Sequence, residues 1–318
     1  MKEIEQAYET LYQAVEQQQA LSKCSFYEAY LIVMEQIVRP EKEEIPEKMQ
    51  EYYNAMESLS LSQDQKRKVT QLVLLKGMKL EPLQANHQLT PDAIGFIFTY
   101  LIQTLTEDKK ELNIYDPANG IGNLLATVGV NLSIARETPH LFASEIDDLL
   151  LAISAINAEW MELPIQFFHQ DGVQMKVKDM DIVLSDLPLG YYPLDEIAQN
   201  YQVSVKEGHT YAHHLLIEAS MQALKEEGYG LYLLPTALLQ SEQAPNFTQW
   251  MQENAYLQAI LLLPKEWFQN EASQKGIFIF QPKTDNTAQK EVLMAEIPSL
   301  NDPMAMQKFL QSFKEWAE

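Results

Sequence analysis

The residues that could do chemistry in this chain gather in three short stretches. Residues 116–125 read DPANGIGNLL, an acid and a proline set directly before a turn that carries Gly120 and Gly122. Upstream, residues 89–96 read LTPDAIGF; downstream, residues 185–193 read SDLPLGYYP. Glycines let a backbone pass close to a ligand and take conformations that other residues cannot. A dinucleotide would use such a turn through a third glycine, with its pyrophosphate on the helix start. Leu125 stands in that place, and Asp116 would repel a phosphate. S-adenosylmethionine carries no phosphate but an ammonium and a sulfonium, charges that a carboxylate favours directly or through water. The turn suits this cationic nucleoside better than a pyrophosphate.

Two more acids stand at comparable places. Glu145, in ASEID, can accept from both hydroxyls of a ribose, by the logic of the acidic residue in dinucleotide folds. Asp171, in HQDGV, can accept from an adenine amino group. Each alone reads as well as a solvated strand-end residue or a helix N-cap; three at successive strand ends around one glycine turn read as a site. Thr90 reads as an N-cap, with Pro91 at the first helical position.

The elements that must position these residues follow from periodicity. Residues 1–82 read as helix throughout: Ile4, Tyr8, Leu11 and Val15 recur at helical spacing, Pro40 and the acidic run EKEEIPEK interrupt, and a second helical pair follows. Beyond Pro82 the candidate strands are LNIYD, LFASE, IQFFHQD, DIVLSD, YGLYLLP, LQAILLLP and GIFIFQP. Helices are predicted at 122–131, 147–161, 212–227 and 245–253. Short apolar strands alternating with helices specify a mostly parallel α/β sheet covered on both faces, with ligands beyond the carboxyl ends of the strands. Asp116, Glu145, Asp171 and Asp186 all fall there. The expected organisation is a small all-helical N-terminal domain, 1–82, and a Rossmann-like, S-adenosylmethionine-binding domain, 83–318.

Charge narrows the partners. The chain has 23 basic and 45 acidic residues, net −22, and residues 86–318 hold 13 and 31 of them, net −18. Nucleic-acid binders normally present a basic face, so binding by the isolated chain is expected to be weak. The least acidic part, with Lys66, Arg67 and Lys68, is a candidate docking surface, although such a run is usually a solvated face. No apolar run reaches bilayer length and the start MKEIEQ lacks signal-peptide character, which predicts a cytoplasmic chain without membrane contact. Cys24 can form no internal disulfide, and its apolar helical surroundings predict a buried, inert thiol.

From about residue 85 to 283 the chain resembles the class I S-adenosylmethionine-dependent N6-adenine DNA methyltransferases, and the modification subunits of type I restriction systems in particular. DPANGIGNLL, SEID, QDGV, LKEEGYGLYLLPTALL and AILLLPKEWF match the family's motifs in the family's order. The resemblance implies a cofactor site built from Thr90 against the cofactor carboxylate and from Asp116, Pro117, Ala118, Asn119, Gly120, Gly122, Asn123 and Leu124 in the turn. Glu145 and Ile146 would face the ribose, Asp171 and Gly172 the adenine, and Asp186 the reacting end.

The family places Asn or Asp, two prolines and an aromatic after the fourth strand; this chain has Asp186, Leu187, Pro188 and Leu189, then Gly190, Tyr191 and Tyr192. An exocyclic adenine amine is a poor nucleophile, and two preset acceptors for its hydrogens would activate it. Asp186 and the carbonyl of Leu187 would be those acceptors, with Pro188 shaping the loop. Leu187 removes the fixed φ of the first proline, and Leu189 replaces the ring that stacks on a flipped base, a role left to Tyr191 or Tyr192. The implied activity is N-methyl transfer, to adenine N6 in DNA or another nucleic acid. A cofactor-binding, catalytically degenerate homologue acting through protein partners is the main alternative, and a dinucleotide-dependent oxidoreductase a weaker one.

Other signals carry less. His209, His213 and His214 lack matching carboxylates or cysteines, so no metal site is expected. Asp147, Asp148, Asp179 and Asp181 read as helix-start and strand-edge charges. No G-x-S-x-G elbow of a hydrolase is present.

Overall fold

Four helices open the chain: α1 (Lys2–Ser22), α2 (Phe26–Val38), α3 (Glu47–Glu57) and α4 (Gln63–Leu80). The computed structural model describes residues 2–40, 45–83, 89–135, 139–268, 270 and 273–318. Residues 41–44 of the acidic run lie outside them. Helical spacing becomes burial in α1, where Ala7, Leu11, Ala14 and Val15 face inward. Reciprocal capping boxes start α2 (Ser25 with Glu28) and α4 (Ser62 with Gln65), satisfying backbone donors that a helix start leaves open.

The pattern then alternates: α5 (Asp92–Leu105), β1 (Asn113–Asp116), α6 (Asn123–Ala135), β2 (His140–Glu145), α7 (Asp148–Trp160), β3 (Ile165–His169), β4 (Met180–Asp186), α8 (Asp195–Ala198), α9 (Ala212–Met221), β5 (Leu224–Pro235), α10 (Ala244–Asn254), β6 (Ala255–Leu262), β7 (Lys275–Pro282), β8 (Leu293–Glu296) and α11 (Pro303–Ala317). The strands form one eight-stranded sheet in the order β3-β2-β1-β4-β5-β7-β6-β8. β1–β4, β4–β5 and β6–β8 are parallel, whereas β7 runs antiparallel to both β5 and β6. Among the described residues no α-helix joins β6 to β7. Parallel neighbours need a long crossover, usually helical, and β7 instead returns antiparallel beside β6.

The helix expected at 212–227 ends at Met221. Leu224 pairs with Met180, so the segment after it is drawn into β5 instead. β8 was not expected at all. Asp181, read as a strand-edge charge, is 2% exposed. Burial works to raise its pKa, but the Asn113 amide and the Lys109 and Lys225 ammonium groups outweigh it and hold the carboxyl below the usual range. Asp147 does cap a helix, accepting from the Leu149 and Leu150 amides at the start of α7. Cys24 sits half-buried between α1 and α2 rather than inside a helix.

The chain forms two compact units. The first comprises Met1–Thr99, Asn119–Leu141 and Glu145–His169; the second comprises Tyr100–Ala118, Phe142–Ser144 and Gln170–Glu318. In the first, one core joins Leu11, Phe26, Tyr30 and Val73 of the N-terminal helices to Leu89, Ile121, Leu150 and Ile153. The buried Tyr30 hydroxyl donates to Asn157 Oδ1 at 2.6 Å. In the second, Tyr115, Val183, Leu187, Leu215, Tyr232, Phe247 and Phe280 share a core.

Candidate active site

In the first unit the glycine turn takes a form that its residue types permit. Gly120 and Gly122 have φ of +57° and +83°, a region closed to most side chains. A Cβ on Gly122 would lie 2.2 Å from Ser154 Oγ, whereas one on Gly120 would meet nothing within 4 Å, so the backbone there faces open space. Glu145, at the end of β2, gathers the turn: Oε2 accepts from the Gly120 amide at 2.7 Å, and Oε1 from the Ile146 and Asp147 amides at 2.8 and 2.9 Å. Ile146 beside it is 66% exposed, an apolar side chain presented at the strand end. Asn119 Nδ2 donates to Ser154 Oγ at 2.8 Å, while its Oδ1 is buried with no hydrogen-bond partner among the described residues.

The turn runs into α6, with Leu124 buried in its first turn. Asn123 Nδ2 donates to the carbonyl of Thr90 at 2.5 Å, bringing the LTPDAIGF and DPANGIGNLL stretches together. Thr127 Oγ1 donates to the Asn123 carbonyl at 2.7 Å. Arg67, expected on a solvated face, is 1% exposed and paired with Asp64 and Asp92. Its neighbours Lys66 and Lys68 pair with Glu162 and Asp64.

In the second unit, Asp116 is 2% exposed at the end of β1. Its Oδ1 accepts from the Ala118 amide at 3.0 Å and from Ser185 Oγ at 2.7 Å. Ser185 is the residue before Asp186 on β4, so one hydroxyl ties the acid of the glycine turn to the strand that ends in the candidate catalytic acid. A Cβ on Gly172 would lie 2.0 Å from the carbonyl oxygen of Pro117, which only glycine tolerates. Asp171 accepts from the Val173 amide and Gln174 Nε2 at 2.9 and 3.0 Å, and from the Tyr192 hydroxyl. Burial, then the neighbouring Asp171, pushes the Tyr192 phenol well up.

Asp186 does not stand alone. Lys275 Nζ, at the start of β7, donates to its Oδ1 at 2.6 Å, with both side chains about a quarter exposed or less. Leu187 is buried in the core at 1% exposure. Pro188 and Leu189 are half-buried between it and the solvent-facing Gly190. Tyr191 is 59% exposed and stacks on Tyr211 at 5.1 Å and 15°, which in turn stacks on His213 at 5.2 Å and 22°. The loop is tied there by the Ala212 amide donating to the Gly190 carbonyl and the Tyr192 amide to the Thr210 carbonyl. Of the two tyrosines, then, Tyr192 is buried against Asp171 and Tyr191 presents a ring to solvent.

The histidines of α9 belong to packing. His213 and His214 are 7% and 0% exposed, and burial pushes them down to about 4 and about 3. Sequence reasoning missed Ser185, Lys275 and Tyr211. Ser185 could have been noticed as the residue beside Asp186; Lys275 belongs to no motif.

A mostly parallel sheet of this strand order, with an antiparallel strand inserted near one edge and a glycine turn after its first strand, defines a class I methyltransferase. The model of the N-6 DNA Methylase family matches residues 86–315, and the chain belongs to that family. It is a methyltransferase of the S-adenosylmethionine-dependent kind. The uncharacterised protein YtxK of Bacillus subtilis (strain 168) is 38% identical over 252 residues, covering 79% of this chain and 76% of YtxK. A Listeria monocytogenes protein assigned as a class I S-adenosylmethionine-dependent methyltransferase is 33% identical with a TM-score of 0.92, covering 100% of this chain and 99% of that one. The methyltransferase subunit of a type I restriction-modification system from Streptococcus thermophilus shares the fold, with a TM-score of 0.67 at 15% identity over 97% of this chain and 74% of that one. Among the described residues, no helix is long and apolar enough to cross a membrane.

The residues present fit the cofactor. An open backbone at Gly120, a carboxylate at Glu145, the exposed Ile146 and the orphaned acceptor of Asn119 match a nucleoside with hydroxyl and amine donors and an apolar base face.

Proposed function

We propose that this chain transfers a methyl group to an exocyclic amino nitrogen of the adenine N6 kind, in DNA or another nucleic acid. The observation that carries this reading is the hydrogen bond from Ser185 Oγ to Asp116 Oδ1, 2.7 Å long. It links the acid expected to favour the cofactor's cationic end with the strand end at which Asp186 would receive an amine. Asp116, Pro117 and Ala118 would line the cofactor's reacting end, and Asn119, Gly120, Gly122, Asn123 and Leu124 its approach along the turn. Glu145 and Ile146 would take the ribose, Asp171 and Gly172 the adenine, and Thr90 the carboxylate. S-adenosylmethionine supplies the electrophilic methyl when bound. The chain's own part is to hold the amine, with Asp186 and the Leu187 carbonyl accepting its two hydrogens, so that the nitrogen lone pair is freed from the ring. Pro188 would fix the loop and Tyr191 would offer the planar face that Leu189 lacks.

The test is transfer of labelled methyl to adenine-containing DNA and RNA, by wild type and Asp186→Ala in parallel. Transfer lost in the variant supports the assignment; equal transfer by both sinks it.

A specific observation favours a second reading, a cofactor-binding homologue without transfer. Lys275 already donates to Asp186, the acceptor an incoming amine would need. Wild type that binds cofactor yet is inert on every nucleic acid would support it. The strongly acidic composition also favours a protein partner that supplies nucleic-acid contacts.

A further inference from the structure

The last of the N-terminal helices carries, in its second turn, a residue whose partners lead to Thr90. Arg67 of α4 uses every N–H it has. Nε and Nη2 donate to Asp64 Oδ1 at 3.0 and 2.8 Å, Nη1 and Nη2 to the two oxygens of Asp92 at 2.6 and 2.9 Å, and Nη1 also to Thr127 Oγ1 at 3.1 Å. Gln71, one turn on, adds a bond to Asp92 Oδ1 at 2.5 Å.

Two routes run from this guanidinium to Thr90. The first is short: Asp92 is two residues beyond Thr90, at the first turn of α5. The second passes through side chains, since Thr127 donates to the Asn123 carbonyl and Asn123 Nδ2 holds the Thr90 carbonyl. Close packing leaves little slack between α5 and α6, because a Cβ on Gly95 would already lie 2.6 Å from Thr127 Cγ2. A surface role for Arg67 is excluded by its burial. A role confined to holding the helices together would not require both routes to meet at one residue.

We infer that Arg67 is a positioning residue for the carboxylate end of the cofactor site, through Thr90 and Asn123. The inference rests on the reading of Thr90 given above. It makes the N-terminal helices a working part of the cofactor site. A planar, five-donor fork can hold Asp92 on two oxygens while reaching Thr127; an ammonium cannot do both.

Two probes separate positioning from general support: S-adenosylhomocysteine, which has the amino-acid carboxylate, and 5′-deoxy-5′-methylthioadenosine, which lacks it. Calorimetry on the full chain should show Arg67→Lys binding the first about tenfold or more weaker and the second within about twofold of wild type. Thr127→Val breaks only the second route and carries the test if Arg67→Lys does not fold; a smaller loss, about threefold, confined to the first probe is expected. Equal losses for both probes, or no loss for either, would overturn the proposal. Thr90→Val keeps its failure distinct from that of the underlying reading. If Thr90→Val loses selectivity and Arg67→Lys and Thr127→Val do not, Arg67 alone is misassigned. If wild type shows no preference between the probes, the Thr90 reading falls and takes the inference with it.

Discussion

Lys275 Nζ lies 2.6 Å from Asp186 Oδ1, an ion pair at the carboxyl end of the strand where the acceptor amine is expected. A carboxylate that must receive an amine's hydrogens is here shared with an ammonium. The positive charge also opposes the charge that develops on the attacking nitrogen. Lys275→Met is therefore expected to raise methyl transfer about threefold or more at unchanged cofactor affinity. Loss of a partly exposed pair should cost about 1 kcal/mol or less of stability. Labelled transfer alongside a melting curve checks both, and a fall in transfer would make Lys275 a support of the site rather than a competitor.

Asp186→Ala removes the acceptor itself. Turnover should drop about a hundredfold or more while cofactor affinity stays nearly constant, as for a contact realised in the transition state. Asp186→Asn should be milder, because an amide oxygen still accepts. Single-turnover rates beside binding constants separate the two effects.

The parts of this site that could be read from sequence are those whose residue type is dictated locally. Gly120 and Gly122 are glycines because their φ values require it, so the turn announced itself. β1 to β7 were legible as short apolar runs set off by helices or turns. β8, reading LMAE, is four residues alternating half-buried and exposed at the sheet margin, too brief to stand out. The end of α9 misled because Lys225, Glu226 and Glu227 continue a helical pattern, while the partner that claims this segment, Met180, lies far back in the chain. Arg67 and Lys275 were illegible for the same reason. Asp64 is local to Arg67, but Asp92 and Asp186, the partners that draw Arg67 and Lys275 inward, are 25 and 89 residues away, and pairing at that range leaves no periodic trace.

Glu145 should matter to binding more than its one carboxylate suggests. It accepts three backbone amides, including that of Gly120, so Glu145→Ala both removes a ribose acceptor and leaves turn donors unpaired. Because these amides are only partly buried, each lost bond costs about 0.5–1.5 kcal/mol. Cofactor affinity is expected to fall tenfold or more in calorimetry. Gly172→Ala should be as damaging, since its Cβ would collide with the Pro117 carbonyl. Retained affinity in both variants would remove these residues from the site.

His213 and His214 predict the response to acid. Both are held neutral by burial, with folded-state values of about 4 and about 3 against about 6.5 unfolded. Below pH 6.5 the unfolded chain binds protons that the folded chain refuses, so stability is full above that pH and is lost as pH falls toward 4. Each histidine should contribute a loss of about 2 kcal/mol at pH 5. Urea unfolding at pH 7.5 and pH 5 tests this. His214→Phe, which keeps a ring against Phe247, should shrink the difference, and an unchanged difference would show that other groups carry it.

The charge of the larger part of the chain bears on what it can do unaided. Residues 86–318 hold 31 acidic against 13 basic residues, and DNA binding gains from counterions released by cationic contacts. Of the basic side chains there, Lys109 and Lys225 are consumed by Asp181, Lys275 by Asp186 and Lys314 by Glu107. In the N-terminal helices Arg39, Lys66, Arg67 and Lys68 are likewise paired with acids. The isolated chain should therefore bind duplex DNA more weakly than about 10⁻⁴ M at physiological salt, with a shallow dependence on salt concentration. A titration from low to physiological salt measures both quantities. Tight binding with a steep slope would require a basic cleft built from the remaining basic side chains. Weak binding that becomes tight on adding a basic partner subunit would locate target recognition in the partner and leave the methyl-transfer machinery in this chain.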